Sequence, residues 1–120
     1  MDHKIKLLLV EDEAVSAIYM KIQLRKLNYD VLNPATTGEE AIKIAKFNKP
    51  DIVLMDIRLA GKMDGIDAAQ EILSFCNAKI IFMTGYENVE LKDRAKKLNP
   101  AGYLIKPFDI LDVKKLMDPV

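Results

Sequence analysis

The chain has 120 residues, half of them hydrophobic and 30% charged, which suffices for one packed core and leaves no room for a second. Its 18 basic side chains balance 18 acidic ones, so no general basic field draws in nucleic acid or an anionic membrane. The single cysteine, Cys76, excludes an internal disulfide, and its amphipathic surroundings mark it as a buried, reduced thiol.

The N-terminal MDHKIKLLLVEDE contains an apolar run far too short for a signal or a membrane span. A cytoplasmic protein is the expectation. IKLLLV, Ile5 to Val10, has strand length and stops at Glu11, Asp12 and Glu13. Val15, Ile18, Tyr19 and Ile22 then recur at helical spacing, and Leu27 closes the pattern before Asn28. Lys21, Arg25 and Lys26 suit the wet side and C-terminal end of that helix. YDVLN, Tyr29 to Asn33, predicts a short second strand, which Pro34 ends because it cannot donate to a ladder. Thr37 with Glu40 three positions on has capping-box spacing and starts a second helix in TTGEEAIKIAKFN.

Pro50 biases Lys49 toward extended backbone and announces DIVLMD, Asp51 to Asp56. Its block Ile52 to Met55 is unbroken and apolar, as in a central strand covered on both faces. Such a strand delivers Asp56 to the edge of the core, where a charge needs a partner. IRLAGKMDG follows as a loop, with turn chemistry at Gly61 and Asp64-Gly65. Ile66, Ala69, Ile72 and Leu73 mark a third helix, and KIIFMTG, Lys79 to Gly85, a fourth strand ending in Thr84. A fourth helix is expected over Glu87 to Leu98, with Lys92, Arg94, Lys96 and Lys97 as a solvated face rather than a binding patch. AGYLIKPF predicts a fifth strand ending at Lys106, and Asp109 caps a last helix reaching about Met117.

Strand and helix alternate five times without linker or repeat, so residues 1–120 read as one α/β domain, a three-layer sandwich around a largely parallel sheet. Parallel strands put every C-terminal end on one edge, where open α/β sheets bind ligands. There the strands contribute Glu11 and Asp12, Asp56, Thr84 and Lys106. Three neighbouring carboxylates repel one another unless a cation neutralises them. All-oxygen hard ligands favour Mg²⁺ or Mn²⁺ over zinc or copper. Thr84 offers a hydroxyl donor and Lys106 a point charge to an incoming phosphoryl group. Asp56, between them on the central strand, is then the natural nucleophile, and attack on phosphorus gives an acyl phosphate.

The acidic pair after LLLV, Asp56 closing DIVLMD, the MDG of Met63 to Gly65, Thr84 after IIFM and Lys106-Pro107 after GYLI together resemble the receiver domain of two-component response regulators over essentially the full length. The resemblance implies a flavodoxin-like (βα)5 fold, and the strand order 2-1-3-4-5 is taken over from the family. It also implies that Asp56 accepts phosphoryl from a sensor histidine kinase or a histidine phosphotransfer protein. Mg²⁺ would be held by Asp12 and Asp56, by Glu11 through water and by the backbone carbonyl of Arg58. Thr84 would swing toward the phosphoryl, opening space for the ring of Tyr103, and Lys106-Pro107 would match the family's cis peptide. The output, and the face for a homodimer, would be the surface of the fourth helix, fifth strand and fifth helix.

Glu11 stands where aspartate is more usual, and the loop after Asp56 is a residue longer than in many members, with Ala60 where proline is common. Arg58 and Tyr86 match places that in the family modulate loss of the phosphoryl, so the resemblance, with their bulk, implies slow autodephosphorylation. An aspartate-nucleophile phosphatase is disfavoured because the acid it needs two residues beyond the nucleophile is here Arg58. No turnover of an external substrate is expected. The remaining alternative is a receiver-like module that binds partners without taking phosphate.

Overall fold

The computed structural model describes residues 4–85 and 88–117. Strands β1 (Lys6–Val10), β2 (Asp30–Val31), β3 (Ile52–Asp56), β4 (Lys79–Thr84) and β5 (Gly102–Ile105) alternate with helices α1 (Ala14–Lys26), α2 (Gly38–Asn48), α3 (Gly65–Leu73), α4 (Val89–Lys96) and α5 (Ile110–Met117). All strands run parallel in the order β2-β1-β3-β4-β5. The expected flavodoxin-like sandwich is therefore present, and the chain crosses from one side of β1 to the other between β2 and β3.

Strand periodicity of two sorts the core into two slabs. Leu8, Val10, Val53, Met55, Ile80 and Phe82 face α2 and α3. Leu7, Leu9, Ile52, Leu54, Ile81 and Met83 face α1 and α5. β3 is buried at all five positions, as expected of an apolar run with helices on both faces. Cys76 is buried and free.

Several local expectations change in three dimensions. Helix α1 lies where the periodicity put it, but it buries Ala17, Met20 and Leu24. Val15, Ile18, Tyr19 and Ile22, which located the helix, point into solvent and are 75%, 60%, 62% and 49% exposed. With apolar residues on both faces, spacing alone did not say which face meets the sheet. β2 is shorter than Tyr29 to Asn33: only Asp30 and Val31 pair as a strand. Leu32 N and Ala35 N still donate to Leu7 O and Leu9 O, so contact with β1 resumes past Pro34.

At the start of α2, Thr37 caps through its side chain, which accepts from Glu40 N at 3.1 Å. The reciprocal bond falls one residue earlier, from Thr36 N to Glu40 Oε1 at 2.8 Å. Lys49, far from being extended, is left-handed with φ 48°, because it closes α2 by donating its N–H to Ala45 O. Helix termination outweighs the bias of the following proline there. Helix α4 starts at Val89, capped by Asn88, and Glu87 lies outside the described residues. Asp109 caps α5 as expected, its carboxylate accepting from Leu111 N at 2.8 Å.

Candidate functional site

Four strand ends meet on one edge of the sheet. Glu11 directly follows β1, Asp56 and Thr84 close β3 and β4, and Lys106 directly follows β5. The ladder extends just past the strands: Glu11 N donates to Ala35 O, Ile57 N to Met83 O and Lys106 N to Thr84 O. These bonds fix the stems from which the side chains project. Glu11, Asp56 and Thr84 are buried polar residues, at 1%, 5% and 1% exposure, capping an otherwise apolar core. Burial of that kind persists only with partners.

The principal partner is Lys106. Its Nζ donates to Glu11 Oε1 at 2.6 Å and to Asp56 Oδ2 at 2.8 Å. The remaining carboxylate oxygens take backbone donors, Asp56 Oδ1 from Arg58 N at 3.1 Å and Glu11 Oε2 from Glu13 N at 3.2 Å. Burial raises the pKa of Glu11, and nearby Asp56 raises it further against the opposing hydrogen bond from Lys106. For Lys106 burial works the other way, but the hydrogen bonds with Asp56 and Glu11 outweigh it and hold the ammonium form above its ordinary range.

Carboxylate oxygens of Glu11, Asp12 and Asp56 lie within 4.8 Å of one another. One ammonium faces three carboxylates, so negative charge remains in excess, and every donor in the cluster is a hard oxygen. That set fits a divalent magnesium or manganese ion. Access to Asp56 from the following helix is set by Gly65. A Cβ there would fall 2.0 Å from Asp56 O, so only glycine lets α3 begin this close to the end of β3.

The other predicted residues distribute as follows. Tyr103 lies half-buried in β5, with Lys92 Nζ 5.5 Å from its ring centroid. Arg58 is exposed beside the site, and the Lys106-Pro107 peptide is cis. Tyr86 lies outside the described residues.

On the expected solvated face of α4, Arg94 is exposed and also makes ion pairs that its sequence position did not announce. Its guanidinium spans Asp64 Oδ2 at 2.9 Å and Asp67 Oδ1 at 3.0 Å, tying α4 to the first turn of α3. Those two acids also form the capping box of α3. Their spacing of three was a visible capping signal, whereas the distant Arg94 had none. Also unforeseen is a groove of about 660 Å³ opening at Glu11 and Lys106, walled by Tyr19, Met20 and Gln23 of α1 and by Pro107, Phe108 and Ile110.

Residues 7–118 match the family profile of the response regulator receiver domain. Among similar proteins, the transcriptional regulatory protein PdtaR of Mycobacterium tuberculosis is 38% identical over 108 residues, 90% of this chain and 52% of PdtaR. The chain thus spans about half the length of that relative. The chemotaxis protein CheY of Thermotoga maritima is 35% identical over 116 residues, 96% of each chain. The signal receiver domain of a modulated diguanylate cyclase from Desulfovibrio desulfuricans superposes with a TM-score of 0.90 at 41% identity, over 96% of this chain and 91% of that one.

Proposed function

The chain belongs to the response regulator receiver domain family, and from that premise we propose that it is a phosphoacceptor in a two-component phosphorelay, residues 1–120 acting as one receiver unit. Asp56 takes the phosphoryl group from a histidine of a sensor kinase or a histidine phosphotransfer protein. A carboxylate oxygen of Asp56 bonds to phosphorus as the bond from phosphorus to the donor nitrogen breaks, leaving an acyl phosphate.

The observation that carries this reading is the bridge from Lys106 Nζ to Asp56 Oδ2 at 2.8 Å, on the same edge as Glu11 and Asp12. Lys106 orients the aspartate before reaction through this contact, and its ammonium then has a phosphoryl oxygen to hold. The Thr84 hydroxyl donates a second hydrogen bond to the phosphoryl group, and the ring of Tyr103 follows its movement. Glu11, Asp12 and Asp56, with the backbone carbonyl of Arg58, would hold Mg²⁺ or Mn²⁺. When bound, that ion neutralises charge on the transferring oxygens. Exposed Arg58 obstructs water that would hydrolyse the product.

The signal leaves through the surface of α4, β5 and α5, which also offers a face for a homodimer. We place the protein in the cytoplasm, acting on other proteins without direct contact with nucleic acid; among the described residues no helix is long and apolar enough to cross a membrane.

The test is intact-mass spectrometry after incubation with acetyl phosphate and Mg²⁺. One added phosphoryl group is expected on the wild type and none on Asp56→Ala or after chelation of the metal. Followed over time, Arg58→Ala should lose the group faster. A wild-type chain that stays unmodified would instead be a partner-binding module that no longer takes phosphate.

A further inference from the structure

Helix α4 is gripped from two sides through its own cations. On one side Lys92 Nζ lies 5.5 Å from the ring centroid of Tyr103, on the edge strand β5. On the other, Arg94 donates from one guanidinium nitrogen to Asp64 Oδ2 at 2.9 Å and from another to Asp67 Oδ1 at 3.0 Å, at the first turn of α3. Between these grips α4 fully buries only Ala95 among its described residues, with Leu91 partly buried.

The grip on α3 is better organised than an ordinary surface pair. Asp64 Oδ1 accepts from Asp67 N at 2.9 Å and Asp67 Oδ2 from Asp64 N at 3.3 Å, so the capping box already orients both carboxylates and leaves one oxygen of each to the planar fork. Most exposed pairs are weak because two mobile side chains must be ordered to form them. Here only the arginine remains to be ordered. The same turn abuts the acceptor: Gly65 N donates to Ile57 O at 2.7 Å, one residue beyond Asp56. Arg94 therefore joins α4 to the start of α3, where the loop after Asp56 ends.

We propose that Arg94 is a positioning latch that holds α4 in its resting place and so lowers the readiness of Asp56 to carry a phosphoryl group, without touching that group. The inference rests on the phosphoacceptor reading above, in which Thr84 and the ring of Tyr103 move once the group arrives. Lys92 links α4 to that ring, so movement of the ring draws on α4 and the Arg94 fork opposes it. A ligand that favours the shifted arrangement must offset the latch, and loss of the latch strengthens its binding correspondingly.

Calorimetric titration of beryllofluoride, a non-covalent phosphoryl mimic, into the wild-type chain and its variants at saturating Mg²⁺ tests the latch. Arg94→Gln should bind it about two- to fivefold more tightly. Loss of a cation near an anion site would by itself weaken binding, so the sign separates a latch from simple attraction. Arg94→Lys lacks the fork that spans both acids and should fall between wild type and Arg94→Gln. Asp67→Asn keeps a capping acceptor and should tighten binding less than Arg94→Gln, and the double variant should match Arg94→Gln alone. The initial rate of phosphoryl uptake from acetyl phosphate, in which an Asp56 oxygen bonds to phosphorus as acetate leaves, should rise in the same order.

If the wild type takes the phosphoryl group but Arg94→Gln binds beryllofluoride no more tightly, or the two substitutions act additively, the latch is overturned and the phosphoacceptor reading stands. A wild type that binds no beryllofluoride and gains no phosphoryl group removes that reading and the latch together.

Discussion

Helices α1 and α4 lie on opposite faces of the sheet and are attached by different physics. Helix α1 buries Ala17, Met20 and Leu24 in one slab of the core, and dispersion and apolar transfer hold it there. Among its described residues α4 fully buries only Ala95, with Leu91 partly buried against the same slab, and its remaining anchors are polar: Arg94 on Asp64 and Asp67, and Lys92 over Tyr103. Packed contacts resist displacement, whereas exposed ion pairs are weak and exchange readily with water. Helix α1 is thus suited to be a fixed surface, and α4 to be an element that shifts when charge at the strand ends changes.

The sharpest break in that comparison would come from core truncation. Leu24→Ala should cost about 3 kcal/mol in urea unfolding, against about 1 kcal/mol for Ala95→Gly; equal losses would mean that α4 is packed as firmly as α1. Next is the latch. Arg94→Gln should change global stability by less than about 1 kcal/mol, yet speed amide hydrogen exchange across α4 several-fold while leaving α1 unaltered. Exchange that rises equally in both helices would dissolve the distinction.

The smallest effect is a pH dependence. Burial pushes the Asp64 carboxyl up, but the N–H of Asp67 and the guanidinium of Arg94 more than offset it, leaving its pKa below the ordinary 3.8. Its contribution is therefore in place above that value and lost as pH falls through the depressed folded one. The stability gap between wild type and Arg94→Gln should narrow as the solution is acidified below about pH 4. A gap that holds constant would show that the pair contributes nothing through ionisation.

How far the sequence reached is clearest at particular residues. DIVLMD announced a central strand because a fully buried strand leaves an unbroken apolar run, and the site followed because parallel strands all end on one edge. Glu11, Asp56, Thr84 and Lys106 do meet there. The resemblance supplied the strand order, which local pattern cannot carry.

The amino-acid sequence by itself determined element type, order and the residues at the strand ends, since these depend on periodicity and turn chemistry within a few neighbours. Only the tertiary structure decided that Lys106 bridges Glu11 and Asp56, that Lys49 turns left-handed, that Arg94 closes on α3 and that α1 shows its second apolar face to solvent. Each of those outcomes depends on what another segment places opposite, and a helix apolar on two sides learns which one to bury only from the sheet it lands on.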